Sequence, residues 1–349
     1  MIVINTRFLT QKLTGVQRFA IEIAKEIKKI MPGVVFVSPA NIIHKDLAAE
    51  LDVKIIGRYK GVLWEQVDLP LFLIKNNKPL LINLCNVAPL GYKNQIVTLH
   101  DMAFFTNPAW FSKNFVRYYK FLIPRISKRA KLIFTVSHFS KNEIVKHINV
   151  TPQKIKVIYN AVSKLAAASN HAANLDKYIL VVGSIDKRKN ISTLIEAFNQ
   201  IPDKDFKLLI VGDVNSIFNN DGNETLTTHH DIIFKGRVSD HELADLYTNA
   251  KMFIYPSLYE GFGIPPLEAM AYGCPTVVSD IDSLREVCAD ASVYVNPLNS
   301  QSIADGIQLL IKDEQLRAGL INKGKQNITR FSWAFSAQLM VDSVKSLII

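Results

Sequence analysis

The sequence predicts an α/β protein of two doubly wound domains, and three observations carry that expectation. A chain of 349 residues suggests about two domains at the usual size of roughly 150 residues each. Short runs that are apolar on both faces alternate with amphipathic helical stretches, as expected of a parallel sheet covered by helices. The alternation comes in two series, separated at 163–176 by a stretch of small and polar residues that reads as a linker. The expected division is a first domain over 1–163 and a second over 164–330, with a final helix at 331–349 packing back near the first. Ligands of such sheets bind at the carboxyl ends of strands, so a working cleft between the two domains is expected.

Residues 2–5 open the first series as a buried strand. Thr14-Gly15 then leads into a helix whose apolar residues Val16, Phe19, Ala20, Ile23, Ile27 and Ile30 keep the 3.6-residue period. Further strands are expected at 34–37, 53–56, 80–84, 96–99, 132–136 and 155–158. The second series places strands at 178–182, 207–211, 231–234, 252–255, 276–279 and 292–295. One of its helices starts at Ser239, where Ser239 and Glu242 form a capping box ahead of Leu243 and Leu246. Trp333, Phe335, Leu339, Met340, Val344 and Leu347 mark the last helix.

Composition narrows the function classes. Hydrophobic residues make up 48% and charged residues 21%, enough apolar surface to offset the ordering entropy, which excludes disorder over most of the chain. No apolar run of about 18 residues occurs, so no spanning helix is expected. The opening residues MIVINTRFLTQKLTG read as a strand and a polar stretch, unlike a secretory leader. Cys85, Cys274 and Cys288 have no ligand-like spacing, so neither a disulfide framework nor a zinc site is expected, and the compartment is read as reducing, the cytoplasm.

The net charge of +10 hides an asymmetry: residues 1–163 hold 24 Lys and Arg against 9 Asp and Glu, whereas the remainder is acidic on balance. The first half should therefore be drawn to an anionic partner. Within 102–142 there is no acidic residue, and cations such as Lys113, Arg117, Lys120 and Arg125 are interleaved with aromatics from Phe104 to Phe121. A basic helix with an aromatic face can lie in the headgroup region of an anionic membrane, so peripheral contact through 102–142 is expected.

The stretch YPSLYEGFGIPPLEAMAYGCPTVVS, at 255–279, carries the most chemistry. Pro265 and Pro266 suit a first helical turn, so Glu268 falls inside a helix while Glu260 stays in the loop before it. The backbone at Gly261, Phe262 and Gly263 can approach a ligand closely, and free amides at the helix start favour negative oxygens. A carboxylate such as Glu268 can accept both hydroxyls of a ribose, and Glu260 those of a sugar. After the strand 178–182, the turn with Gly183 and Ser184 brings Arg188 and Lys189 just before a helix. Two cations there can clamp a diphosphate and stabilise the charge that builds as a leaving group departs. Two Asp-x-Asp strings, Asp203 with Asp205 and Asp280 with Asp282, lie in connections, and neither reads as a metal–diphosphate motif. No metal is expected, since the cations supply the leaving-group charge.

The 255–279 stretch resembles the Glu-x7-Glu signature of the retaining glycosyltransferases of family 4, and the similarity extends over most of the chain. Matching stretches are GVQRFAIEIAKEI at 15–27, WEQVDLP at 64–70, VTLHD at 97–101, TVSHFSKNEI at 135–144, VIYNAV at 157–162 and GSIDKRKNISTLIEAF at 183–198. The resemblance implies the GT-B fold, two Rossmann-like domains facing across a cleft, with acceptor bound by the first and nucleotide sugar by the second. It implies that His100 contacts the donor sugar, that Asp101 orients the backbone or meets the acceptor, and that Gly15 admits phosphate or acceptor. The family's usual Arg after the glycine is Ser184 here, so the diphosphate role passes to Arg188 and Lys189, with Ser184 a neutral donor.

The implied reaction is metal-independent transfer of a hexose, with retention, to a polyprenyl diphosphate-linked glycan in bacterial surface polysaccharide or O-antigen synthesis. It would take place on the inner face of the plasma membrane. The WEQ, HD and KRKN set looks most like mannosyl- and rhamnosyltransferases, which makes GDP-mannose the first choice of donor. Rival readings are a GT-B epimerase or phosphorylase-like enzyme, a nicotinamide oxidoreductase, and a basic nucleic-acid-binding protein. The oxidoreductase lacks G-x-G-x-x-G after its first strand, and the last lacks a recognition module, so no nucleic-acid partner is expected.

Overall fold

The computed structural model describes residues 1–163, 177–213 and 230–347. The chain divides into two compact units. Unit 1 comprises Met1–Phe105, Val116–Asn160 and Phe331–Ile349, and unit 2 comprises Thr106–Phe115 and Ala161–Arg330. The division differs from a single cut after residue 163 in that Thr106–Phe115 belongs to unit 2, where Trp110 meets the ring of Tyr259 at 6.4 Å. The final helix, Trp333–Lys345, belongs to unit 1: Trp333 packs edge-on against Phe19, and Ser336 Oγ donates to the Tyr159 carbonyl at 2.7 Å. Apart from Ser163, the expected linker 163–176 lies outside the described residues.

Unit 1 holds seven strands: β1 (Ile2–Asn5), β2 (Val34–Ser38), β3 (Lys54–Ile55), β4 (Leu80–Asn83), β5 (Gln95–Thr98), β6 (Leu132–Thr135) and β7 (Ile155–Val157). All pair in parallel, in the order β3-β2-β1-β4-β5-β6-β7. β4, β5 and β6 are buried throughout, as central parallel strands covered on both faces must be. The helix Gly15–Ile30 covers one face of its sheet with Phe19, Ile23 and Ile27. Trp64, Leu69 and Leu73 pack with Val3, Val37 and Leu81.

Unit 2 holds β8 (Tyr178–Val182), β9 (Lys207–Val211), β10 (Ile232–Gly236), β11 (Met252–Tyr255), β12 (Thr276–Ser279) and β13 (Ser292–Val295). They pair in parallel in the order β10-β9-β8-β11-β12-β13. Its core joins Ile179, Val181 and Ile254 of the sheet to Leu194, Phe198, Ile303 and Ile307 of the covering helices.

Strand order reverses between β1 and β4 in unit 1, and between β8 and β11 in unit 2. Connections leave such neighbours toward opposite sides, which opens a crevice at their carboxyl ends. In unit 2 the chain emerging from β8 runs into Gly183–Lys189, and that from β11 into 256–263, so the two functional stretches singled out in the sequence flank one switch point.

Candidate active site

The turn after β8 is built by polar caps. Asp186 Oδ1 accepts the Arg188 amide at 3.0 Å, and Asp186 Oδ2 accepts the Ser184 hydroxyl at 2.6 Å, which starts the 3-10 turn Lys187–Lys189. Asn190 follows with a φ of 58°, a left-handed conformation that asparagine tolerates, and begins the helix Ile191–Asn199. Its side-chain Nδ2 donates to the carbonyls of Pro256 at 3.2 Å and Pro297 at 2.7 Å. The Leu258 amide donates to the Arg188 carbonyl at 2.8 Å, so the loops after β8 and β11 are tied backbone to backbone.

This framework brings Arg188, Lys189 and Glu260 together. Lys189 Nζ donates to Glu260 Oε1 and to the Tyr255 hydroxyl, both at 2.6 Å, and Arg188 Nη1 stands 3.5 Å from Glu260 Oε2. The stem of Lys189 runs past Gly183, where an added Cβ would lie 3.3 Å from Lys189 Cε. Burial works against the Glu260 charge, but Lys189 and Arg188 outweigh it and hold the carboxyl below its ordinary range. Burial in turn lowers the Lys189 ammonium, and Glu260 opposes the shift. Glu260, expected to accept from sugar hydroxyls, is thus engaged with both cations, while a carboxylate retains lone pairs for a further donor. Ser184, expected as a neutral donor, donates its hydroxyl hydrogen bond to Asp186.

Because the folded Glu260 carboxyl titrates below an unfolded value of about 4.3, its contribution to stability is complete above that pH and is lost as pH falls through the folded value. Glu260→Gln is expected to flatten the decline of the unfolding midpoint between about pH 5 and pH 3. A decline as steep as in the unmodified chain, followed by thermal unfolding, would show that Glu260 is not the group responsible.

After Glu260 the chain turns through Gly261 and Phe262 to Gly263, whose φ is 103° and whose added Cβ would fall 2.6 Å from Leu284 Cδ2. Only glycine suits that position. The helix Ile264–Ala271 follows with prolines in its first turn, as the sequence predicts, and Glu268 is buried in its second turn. Glu268 Oε2 accepts from the hydroxyl of Tyr247 at 3.2 Å. Tyr247 belongs to the helix Asp240–Asn249, which starts at the expected cap: Ser239 Oγ accepts the Glu242 amide.

In unit 1, His100 follows β5 and is buried. Its Nε2 lies 3.0 Å from the Leu84 carbonyl, its amide donates to Asn86 Oδ1, and its ring meets Phe19 edge-on at 4.9 Å. Burial lowers its pKa, against the Leu84 contact and Asp101, so the ring is neutral at pH 7. A carbonyl can only accept, so Nε2 carries the proton and Nδ1 is left as an acceptor. Asp101 Oδ1 accepts the Ala103 amide, a backbone-orienting contact. Gly15, expected in the turn between strand and helix, is the first residue of the helix Gly15–Ile30, at the end of a connection that runs through the 3-10 segment Arg7–Thr10 and residues 11–14.

Sequence reasoning did not single out Asp186, Asn190, Tyr255 or Tyr247. The first three lie inside quoted motifs, and an Asp or Asn just ahead of a helix is a readable cap signal. It also gave the WEQ stretch no role. Glu65 is buried at the unit 1 switch point, where Asn5 Nδ2 donates to Oε1 at 2.8 Å and Arg7 Nη2 lies 3.1 Å from Oε2. Both Asp-x-Asp strings face cations: Asp205 pairs with Lys177 and Lys251, and Asp280 with Arg285.

Comparison with known proteins accounts for both units. Residues 163–327 match the family described as Glycosyl transferases group 1, and residues 14–164 match Glycosyltransferase Family 4. The chain is 31% identical to O-antigen chain mannosyltransferase B of Escherichia coli over 283 residues, 74% of this chain and 72% of that protein. It is 30% identical to O-antigen chain mannosyltransferase RfbU of Salmonella typhimurium over 327 residues, 88% of this chain and 90% of the relative. A Campylobacter jejuni N-acetylgalactosamine-N,N'-diacetylbacillosaminyl-diphospho-undecaprenol 4-alpha-N-acetylgalactosaminyltransferase is 28% identical over 66% of this chain and 63% of its own length. Among solved structures, sucrose-phosphate synthase of Thermosynechococcus elongatus superposes with a TM-score of 0.79 at 19% identity, covering 99% of this chain and 98% of that one. Two parallel doubly wound sheets in this order, with family matches that together run from residue 14 to 327, place the chain in glycosyltransferase family 4, with the GT-B fold.

Proposed function

We propose that the chain transfers a mannosyl group from GDP-mannose to a hydroxyl of a polyprenyl diphosphate-linked glycan, with retention and without a metal ion, in assembly of a bacterial surface polysaccharide. The observation that carries this reading is the Arg188–Lys189–Glu260 cluster at the β8/β11 switch point, with Glu268 on the next helix. Arg188 and Lys189 meet the diphosphate, Glu260 holds the two cations in place and accepts from the sugar, and Glu268 accepts from the ribose. His100, neutral and with Nδ1 as acceptor, is assigned to the donor sugar. The acceptor oxygen attacks the anomeric carbon on the face from which the diphosphate leaves. The new C–O bond forms as the sugar–phosphate bond breaks, and the acceptor's proton passes to a phosphate oxygen of the leaving nucleotide. The developing phosphate charge falls to Arg188 and Lys189.

The mannosyl assignment is supported by the names of the Escherichia coli and Salmonella typhimurium relatives, and the lipid-linked acceptor by that of the Campylobacter jejuni relative. Among the described residues no helix is long and apolar enough to cross a membrane. The reading places contact with the lipid-linked acceptor at the membrane's cytoplasmic face, without a spanning helix from these residues.

Thermal unfolding of chelator-treated protein with GDP, UDP, dTDP or ADP tests the donor, since a ligand that binds only the folded chain raises the midpoint. GDP is expected to give the largest rise. Glu268→Ala is expected to weaken its binding roughly 10- to 100-fold, the worth of hydrogen bonds to a charged group. No rise with any nucleotide in folded protein would refute the reading.

A further inference from the structure

The exposed aromatic face expected within 102–142 is largely absent. Phe104 and Phe111 are buried, the rings of Phe104 and Tyr119 pack at 5.3 Å, and among the large hydrophobics of that stretch only Phe121 is exposed. On the helix Lys113–Arg129 the cations lie outward, and its one exposed large ring, Phe121, is covered by the Arg125 guanidinium at 3.8 Å.

An apolar surface stands elsewhere on unit 1. From β3 onward, Ile55, Tyr59, Val62, Leu63, Leu71 and Ile74 are all exposed, with Ile55 at 59% and Leu63, Leu71 and Ile74 at 52–53%. The segments Gly61–Leu63, Trp64–Asp68 and Leu69–Lys75 form one continuous helix, whose middle segment is a π turn. The wider turn lets Trp64 and Leu69, five positions apart, both reach the core, where a regular helix would bring positions three or four apart to one face. Leu63, Leu71 and Ile74 are left outside. A helix apolar on its outer face as well as its inner one is out of place on a surface bathed by water alone.

The loop ahead of it is rigidly held. Asp68 Oδ2 accepts the amides of Arg58 at 2.8 Å and Tyr59 at 2.7 Å, and an added Cβ on Gly57 would fall 2.3 Å from that same oxygen. Lys54, Arg58, Lys60, Lys75 and Lys78 accompany the apolar side chains, all exposed, and none makes an ion pair among the described residues. Of the nearby acids, Glu65 faces Arg7 inside the unit and Asp68 holds the loop amides, while Asp52, beside β3, is exposed and leaves the five cations in excess.

We propose that the surface formed by β3, the loop 56–60 and the helical segment 61–75 docks this chain on an anionic lipid bilayer, with Leu63, Leu71, Ile74 and Tyr59 entering the interface and the five cations meeting lipid phosphates. Apolar side chains flanked by unpaired cations complement both layers of such a membrane, whereas a soluble protein partner would need matching carboxylates and a second copy of the chain would bring cations against cations. The proposal deepens the membrane part of the functional reading and relocates it from 102–142.

Flotation with phosphatidylglycerol-rich and with phosphatidylcholine vesicles tests it on the full chain, with thermal stabilisation by GDP read in parallel. The unmodified chain is expected to float with the anionic vesicles only, and high salt to reduce the bound fraction. Leu63→Ser/Leu71→Ser/Ile74→Ser is expected to lower partitioning at least tenfold with an unchanged response to GDP; Lys120→Ser/Arg125→Ser is expected to lower it less than threefold. The proposal is overturned if the triple variant floats like the unmodified chain, or if the pair on the helix Lys113–Arg129 abolishes flotation instead. It is equally overturned if the triple variant changes only the sedimentation coefficient, which would make the face a self-association surface. No flotation by a chain that still responds to GDP overturns the docking and leaves the glycosyltransferase reading standing.

Discussion

Replacing Arg188 and Lys189 together by Ala is expected to lower turnover by on the order of 100-fold or more, the cost of removing a positioned electrostatic partner from a reaction that expels charge. The two single variants should separate binding chemistry from architecture. Arg188 is the more exposed cation, and its guanidinium lies 3.5 Å from Glu260, so Arg188→Ala should cost turnover with little loss of stability. Lys189 is buried against both Glu260 and the Tyr255 hydroxyl, so Lys189→Ala leaves a buried carboxylate facing only the more distant cation. Breaking a buried pair from one side costs about 3–5 kcal/mol, because the remaining charge stays desolvated. Lys189→Ala should therefore lower the thermal midpoint as well as turnover, and the two losses should not add in the double variant, since both cations share one carboxylate. Steady-state rates beside unfolding curves read both. Undiminished turnover in the folded double variant would remove the diphosphate assignment from these residues.

The thirteen strands among the described residues lie within a residue or two of where the sequence predicts them, because buried parallel strands are short, apolar on both faces and bounded by polar turns. β3 is the weakest case: it was read from Val53 to Ile56, yet only Lys54–Ile55 pairs, and both are exposed. At the site, Arg188, Lys189, Glu260 and Glu268 are legible from local motifs. Their mutual arrangement is not, since Lys189 and Glu260 are 71 positions apart and only the reversal of strand order brings them together. Which side of the basic stretch meets the water is hidden for a similar reason. In the helix Lys113–Arg129, Leu122, Ile123 and Ile126 face inward while Lys120 and Arg125 stay outside, and a mixture of rings and cations has the same composition whichever group faces the water. Conversely, nothing in the sequence marks the apolar residues at 62–74 as a surface, because their period does not register a π turn that shifts the helix's phase by one residue.

A second large effect is expected from a residue that no motif marks. Gly212, just after β9, passes so close to β8 that an added Cβ would fall 1.7 Å from the Gly183 carbonyl oxygen. The obstacle is backbone, so no side chain can rotate away. Around it the Gly183 amide donates to the Val211 carbonyl, the Gly212 amide to Gly236, and the Ile185 amide to Asp213, all at 2.9–3.0 Å. Making room for a methyl group must stretch these bonds and displace the turn that carries Asp186, Arg188 and Lys189. Gly212→Ala is therefore expected to destabilise by about 3 kcal/mol, the upper end of ordinary overpacking. It should also abolish stabilisation by GDP where folded protein persists. Gly319, inside the helix Glu314–Asn327, is the contrasting position: an added Cβ there meets nothing within 4 Å. Gly319→Ala should raise stability by roughly 0.5–1 kcal/mol, the usual gain for alanine over glycine within a helix. Calorimetry of the two variants reads both signs in one experiment. A Gly212→Ala chain with an unshifted midpoint and a full GDP response would mean that the β8 and β9 turns do not approach this closely, and the cation pair would then lose the support that positions it.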